Sequence, residues 1–151
     1  MVGVAELEAV PLRSVWADEA RDFTLWVADH PHVVGRELGM DLELVGQEVA
    51  VGSFRADAVF RDKTTGVRVV VENLSEVTDH DHLGKLITYA AALQASWAVL
   101  VAREFRLEYR SAFIWLNSIT GEGSGFFGRE VRRCSCRGLT HSGTSRCGCQ
   151  P

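Results

Sequence analysis

Apolar residues recur along this chain in two rhythms, and the changes of rhythm divide it into elements. From Asp18 onward Ala20, Phe23, Trp26 and Val27 recur at helical spacing, and Pro31 interrupts and restarts the helix. Val33, Val34, Glu37 and Leu38 form a second short helical piece that Gly39 stops. Leu42, Leu44, Val45, Val49 and Val51 predict an extended run, kinked at Gly46 and closed by Gly52. A strand from Phe54 to Arg61 follows directly, and Asp62 to Gly66 (DKTTG) is a polar turn of hairpin length. Val67 to Asn73 is apolar nearly throughout, the pattern of a strand buried on both faces.

Beyond a polar loop, Leu83, Leu86, Ile87, Ala90 and Leu93 share one helical face, with Asp79 or Asp81 placed to cap it. Trp97 to Ala102 predicts a short buried strand, and Phe105 to Ile119 a helix with Tyr109, Phe113 and Leu116 turned inward. Gly125 to Val131 predicts a last strand. Trp16, Trp26, Trp97 and Trp115 fall at core-like positions and read as packing residues. The order α-β-β-β-α-β-α-β is that of one α/β domain over residues 20–131, preceded by an N-terminal arm at 1–19. In residues 132–151 the periodicity ends and Gly, Ser, Thr, Cys and Arg dominate, so a disordered or separately organised tail is expected there.

With 151 residues, 46% apolar and 24% charged, the chain can bury one proper core. Its net charge of -4 supplies no global basic field, so a nucleic-acid partner would have to be met by a local patch. Arg55, Arg61, Lys63 and Arg68 cluster around the hairpin, and Arg103, Arg106 and Arg110 around the later helix. They read equally as a phosphate-tracking surface and as ordinary solvated faces interspersed with acids. No apolar run approaches the roughly 18 to 20 residues that would span a membrane, so no membrane partner is expected. MVGVAELEAV lacks the basic residues of a secretory signal, and the first 133 residues contain no cysteine, as suits a reduced compartment. Cytoplasm is the expected location.

Two acids break the apolar strands. Asp57 interrupts Ala56, Ala58, Val59 and Phe60, and Glu72 ends the ladder Val67, Val69, Val70, Val71. Neighbouring strands that each project a carboxylate can aim both at one cation. Magnesium takes carboxylate, carbonyl and water oxygens, usually with only one or two protein carboxylates. Asp57, Glu72 and the backbone carbonyl of Asn73 would supply such a site, and a bound metal would support phosphodiester hydrolysis. The bland alternative is that both acids lie solvated at strand ends.

FRADAVFRDKTTGVRVVVEN, followed by TDHDHLGKLITYAA, resembles the PD-(D/E)XK nuclease superfamily, the restriction-endonuclease-like fold, and within it a bacterial branch with a divergent active site. The resemblance covers about residues 20–131. It implies an α/β fold with an α-βββ-α-β core, a mixed central sheet flanked by helices, and a magnesium or manganese cofactor. By resemblance Asp57 and Glu72 take the two acidic motif positions. Glu37 matches an extra helix acid that some members add, and Lys85-x-x-x-Tyr89 stands where an exonuclease-like branch carries Gln-x-x-x-Tyr. The pattern departs at Leu74, where the superfamily has its lysine; a leucine can neither orient water nor balance negative charge. Lys85 then reads as a relocated catalytic lysine, or else as a surface lysine or phosphate contact.

Asp79-His80-Asp81-His82 offers a competing chemistry, since imidazole and carboxylate both bind first-row metals. Two residues apart on a helix, however, His80 and His82 do not share a face, so a metal would need a loop there. The resemblance sets this segment beside the acids, which makes a phosphate or substrate contact the more economical role. His30 and His32 flank Pro31 and read as solvated. In the tail, Cys134, Cys136, Cys147 and Cys149 form two C-x-C pairs; structural zinc sites separate paired cysteines more widely, and the spacing argues against zinc.

The expectation is a nucleic-acid-binding, nuclease-like domain that hydrolyses DNA or RNA with a metal. The alternative is an inactive nuclease-fold module that binds nucleic acid or protein. A homodimer and a larger multidomain partner both fit the sequence.

Overall fold

The computed structural model describes residues 6–9, 19–131 and 134–137. Strand β1 (Glu6–Ala9) is followed by helices α1 (Glu19–Asp29) and α2 (Pro31–Leu38). Pro31 sits in the first turn of α2, where its missing N–H leaves no bond unmade, and Gly39 ends the helix in the left-handed region at φ 66°. Strands β2 (Leu42–Val51), β3 (Phe54–Asp62) and β4 (Arg68–Val77) come next, then α3 (His80–Ala92), β5 (Trp97–Glu104), α4 (Leu107–Ile119) and β6 (Gly125–Glu130). Strand β7 (Cys134–Arg137) closes the described chain.

Five strands make one sheet in the order β2-β3-β4-β5-β6. The β2–β3 and β3–β4 pairs are antiparallel, joined by tight turns; β4–β5 and β5–β6 are parallel, and α3 and α4 make the crossovers. The order of elements predicted one α/β domain, and the mixed sheet flanked by helices is the architecture that the resemblance implied. The kink expected at Gly46 is a register shift between Leu44 and Gly46.

The sheet is covered on both faces. Phe23 and Val27 of α1 and Val34 of α2 pack with Phe60, Val69, Val71, Val99 and Val101. Leu86 and Tyr89 of α3, with Tyr109 and Phe113 of α4, pack with Val70, Leu74, Leu100 and Ala102. Strand β4 lies at the centre, and Val69, Val70 and Val71 are wholly buried because each face meets a helical layer. Thr78, also buried, donates its N–H to the Glu104 carbonyl, while its hydroxyl accepts from the Arg106 N–H. These bonds pin the start of α3 against the end of β5.

One expectation is corrected here. Trp115 is 61% exposed: with Tyr109 and Phe113 facing the sheet, a residue two positions beyond Phe113 falls on the far side of α4. Trp26 and Trp97 do pack against the core, and Trp16 lies outside the described residues. Of residues 132–151, expected to be a disordered or separately organised tail, those at 134–137 form β7, which pairs antiparallel with β1 from Ala9↔Cys134 to Glu6↔Arg137. Main-chain pairing needs no apolar periodicity, so composition alone did not reveal it. Cys147 and Cys149 lie outside the described residues, as does the remainder of the tail.

Candidate active site

The last paired rung of β3 and β4 is Ala58↔Val71, and the next residues outward are Asp57 and Glu72. There side chains take over from the ladder. Asp57 Oδ2 accepts the Asn73 N–H at 2.8 Å, and the polar main chain of Asp57 favours the ionised form of Glu72. The Asp57 carboxylate thereby satisfies a main-chain donor of β4, which fixes it beside Glu72. On the other flank, β2 pairs with β3 through Gln47↔Ala58 and Val49↔Ala56, so Glu48 lies across from Asp57. Glu48 holds a left-handed backbone at φ 48°, unusual for a glutamate, and its carbonyl accepts from Arg55 Nη1 at 3.5 Å.

A cavity of about 670 Å³ opens over these acids. Helix α1 contributes Arg21, Thr24 and Leu25, and the β2–β3 hairpin contributes Gln47, Glu48, Arg55 and Asp57. Strand β4 contributes Glu72 and Asn73, and α3 contributes His82, Lys85 and Tyr89.

Glu72 is the most confined acid of the cavity, only 4% exposed, and its Oε2 has no hydrogen-bond partner among the described residues. Burial, reinforced by the charge of Asp57, pushes its carboxyl up to about 8. Burial also raises Asp57, against the stabilising N–H of Asn73. Lys85 Nζ lies 2.6 Å from Asp81 Oδ2, one helical turn earlier, and that bond raises the lysine further, as does the field of Glu72. Tyr89 is raised by burial and by Glu72. Asp79 caps α3 by accepting the His82 N–H at 2.8 Å, and its Oδ1 also lies 2.8 Å from His82 Nδ1. Burial opposes ionisation of Asp79, yet these bonds hold it below the usual carboxylate range.

The candidates from the sequence thus divide. Asp57, Glu72, Asn73, His82, Lys85 and Tyr89 line one cavity. Asn73 enters it by holding Asp57 with its N–H, while its side-chain Nδ2 donates to Thr24 Oγ1 at 3.4 Å. His80 is instead 5.4 Å from the Tyr109 ring, centroid to centroid, because α3 begins at His80 and turns it away from His82. Glu37 is paired with Arg129 of β6 and does not line the cavity. Leu74 shares the Glu72 face of β4 but packs into the α3-side core. Most of the basic residues are tied locally: Arg61 to Glu43, Lys63 to Asp41, Arg110 to Glu130 and Arg68 to the Leu93 carbonyl. Glu48, Gln47, Arg21 and Thr24 were not singled out from the sequence. Only counting paired residues outward from the β2–β3 turn brings Glu48 opposite Asp57.

Among the described residues no three His, Cys, Asp or Glu side chains converge closely enough, as they stand, to hold a metal ion. Two carboxylates nevertheless match what magnesium takes from a protein, the rest of its shell being water and phosphate oxygen. A buried carboxylate oxygen without a partner, beside a second acid that raises its proton affinity, is a donor set that fits a hard cation.

No protein-family model and no curated protein matches the chain. Solved structures do. A repair endonuclease from Pyrococcus abyssi matches with a TM-score of 0.57 and 17% identity, over 72% of this chain and 45% of that one. An EndoMS–dsDNA complex matches with a TM-score of 0.53 and 18% identity, over 72% of this chain and 43% of that one. At this identity the likeness is one of fold: an α/β domain with a mixed five-stranded sheet flanked by helices. The chain spans less than half the length of either matched structure.

Among the described residues no helix is long and apolar enough to cross a membrane.

Proposed function

We propose that this chain is a nuclease-like domain that binds DNA and hydrolyses its phosphodiester bonds with a magnesium or manganese ion held by Asp57 and Glu72. The observation that carries the reading is Glu72 Oε2: buried, without a partner among the described residues, and fixed beside a second carboxylate. DNA is the favoured ligand because the structural neighbours are a repair endonuclease and a complex with double-stranded DNA.

A bound divalent ion would polarise a phosphoryl oxygen and lower the pKa of an attacking water. The chain's own residues do the rest. The Asn73 N–H holds Asp57 in place, and Glu72 would hold the cation in its deprotonated form. The Lys85 ammonium, steered by Asp81, lies in the field of both acids and offsets the charge that builds on the phosphoryl group. Arg21 from α1 and Arg55 from β3 meet the flanking phosphates. His82, oriented by Asp79, is an accessory phosphate contact.

A specific residue favours a second reading, in which the fold binds DNA without cleaving it: Leu74 is built into the core where the motif lysine would stand. One assay separates the two. Labelled single- and double-stranded DNA and RNA are incubated with the full chain and manganese, beside Asp57→Asn/Glu72→Gln. Cation-dependent cleavage that the double variant loses while still binding DNA supports the nuclease. Binding without cleavage by the wild type supports the inactive module. Cleavage that survives in the double variant contradicts the assigned site.

A further inference from the structure

Glu48 has no role in the reading above, yet its position demands one. By the register of the neighbouring rungs Glu48, Asp57 and Glu72 fall in one row across β2, β3 and β4, and all three line the same cavity. The charge of Glu48 disfavours ionisation of both Asp57 and Glu72, so the three acids repel one another. Glu48 adds a left-handed backbone at φ 48°, which a glycine or asparagine would adopt with less strain. An acid kept at such a place adds repulsion to strain, unless a cation lies between the carboxylates. The deepest member of the row points independently to a ligand. Glu72 is 4% exposed and lines the cavity with an oxygen that has no partner among the described residues.

We propose that Glu48 is the third carboxylate of the divalent-cation site, reaching from the edge strand β2 onto the ion that Asp57 and Glu72 hold. This inference rests on the proposed cation site and adds to it a residue from a further strand. The three acids do not converge as the side chains stand, and the difference between them explains how they would. Asp57 is held by the Asn73 N–H, and Glu72 is confined by burial at 4% exposure. Glu48 is exposed, and its flexible side chain is free to turn inward. Two rigid ligands thus define the position, and the third closes over the cation from the open side of the cavity, controlling how tightly it is held.

The test is calorimetric titration of the full chain with manganese alone, comparing wild type with Glu48→Gln, Glu48→Gly and Glu48→Asp. Glycine suits the left-handed backbone, so Glu48→Gly removes the carboxylate without straining the fold. Both Glu48→Gln and Glu48→Gly are expected to weaken manganese binding by about tenfold or more, while Glu48→Asp restores most of it. The loss should persist in about 0.5 M salt, where the influence of a merely nearby charge is screened. Manganese affinity unchanged in the glutamine or glycine variant, or a loss that vanishes at high salt, overturns the role of Glu48 and leaves the Asp57–Glu72 site standing. No manganese binding by the wild type removes the cation site itself, and this inference with it.

Discussion

The main-chain N–H of Asn73 donates to Asp57 Oδ2 across 2.8 Å, one step beyond the last rung that joins β3 to β4. A side chain there performs the work of a strand carbonyl, so Asp57 is part of the sheet as well as of the cavity. Asp57→Ala leaves the Asn73 N–H without its acceptor and is expected to be less stable than Asp57→Asn, by about 1 to 3 kcal/mol. Urea unfolding of the two variants at one pH measures the difference. Equal stability would mean that the bond contributes nothing to the fold.

The pH dependence follows from Glu72. Its carboxyl sits at about 8 in the folded chain, against 4.5 as the ordinary value, because burial and Asp57 disfavour the charge. Between those values the folded state keeps a proton that the unfolded chain has released. Stability contributed by this group is therefore present below pH 4.5 and is lost as pH rises toward 8. Glu72→Gln removes that slope, so its stability relative to wild type should improve from pH 5 to about pH 8 and level off above it in the absence of metal. A constant difference across the range would contradict the buried, protonated acid.

Cation binding should show the same proton. Below about pH 8 a metal ion must displace it from Glu72, so apparent manganese affinity should rise by about tenfold per pH unit and level off above pH 8. Calorimetry in buffers of different ionisation enthalpy counts the protons released. A pH-independent affinity would assign the ion to other ligands.

Lys85 is held 2.6 Å from Asp81, and its charge acts on Glu72 and Asp57. If it compensates for Leu74, Lys85→Ala should lower kcat by about 100-fold or more and change KM little. Asp81→Asn, which loosens the lysine without removing it, should fall between that variant and wild type. Turnover unaffected by Lys85→Ala would make this lysine a bystander.

Leu74 is 7% exposed and packs in the α3-side core with Leu86 and Tyr89. Leu74→Ala is expected to destabilise the chain by about 2 to 5 kcal/mol, and Leu74→Met by less than about 1.5 kcal/mol. Thermal and urea unfolding check both values. A harmless Leu74→Ala would mean that the position tolerates a cavity and is not fixed by packing.

Much of this architecture was legible because periodicity reports burial. The triple valine of β4 marked the central strand, Asp79 marked the start of α3, and Gly46 marked the bend in β2. Asp57 and Glu72 stood out because they interrupt apolar strands. Glu48 did not, since an acid on the partly polar edge strand β2 looks solvated; its place depends on strand register, which sequence spacing does not display. His80 and His82 formed one motif in sequence, but the first turn of α3 sends one toward Tyr109 and the other into the cavity. Glu37 matched a motif position, but its carboxylate engages Arg129, a partner 92 residues away. Tertiary pairing of this kind leaves no local signature.

The most direct measurement is manganese titration of the wild type and of Asp57→Asn/Glu72→Gln by calorimetry at pH 8, with circular dichroism to show that both are folded. The site described here predicts saturable binding of manganese by the wild type and its loss in the double variant. Equal binding by both proteins, or none by the folded wild type even with a short oligonucleotide present, would contradict it.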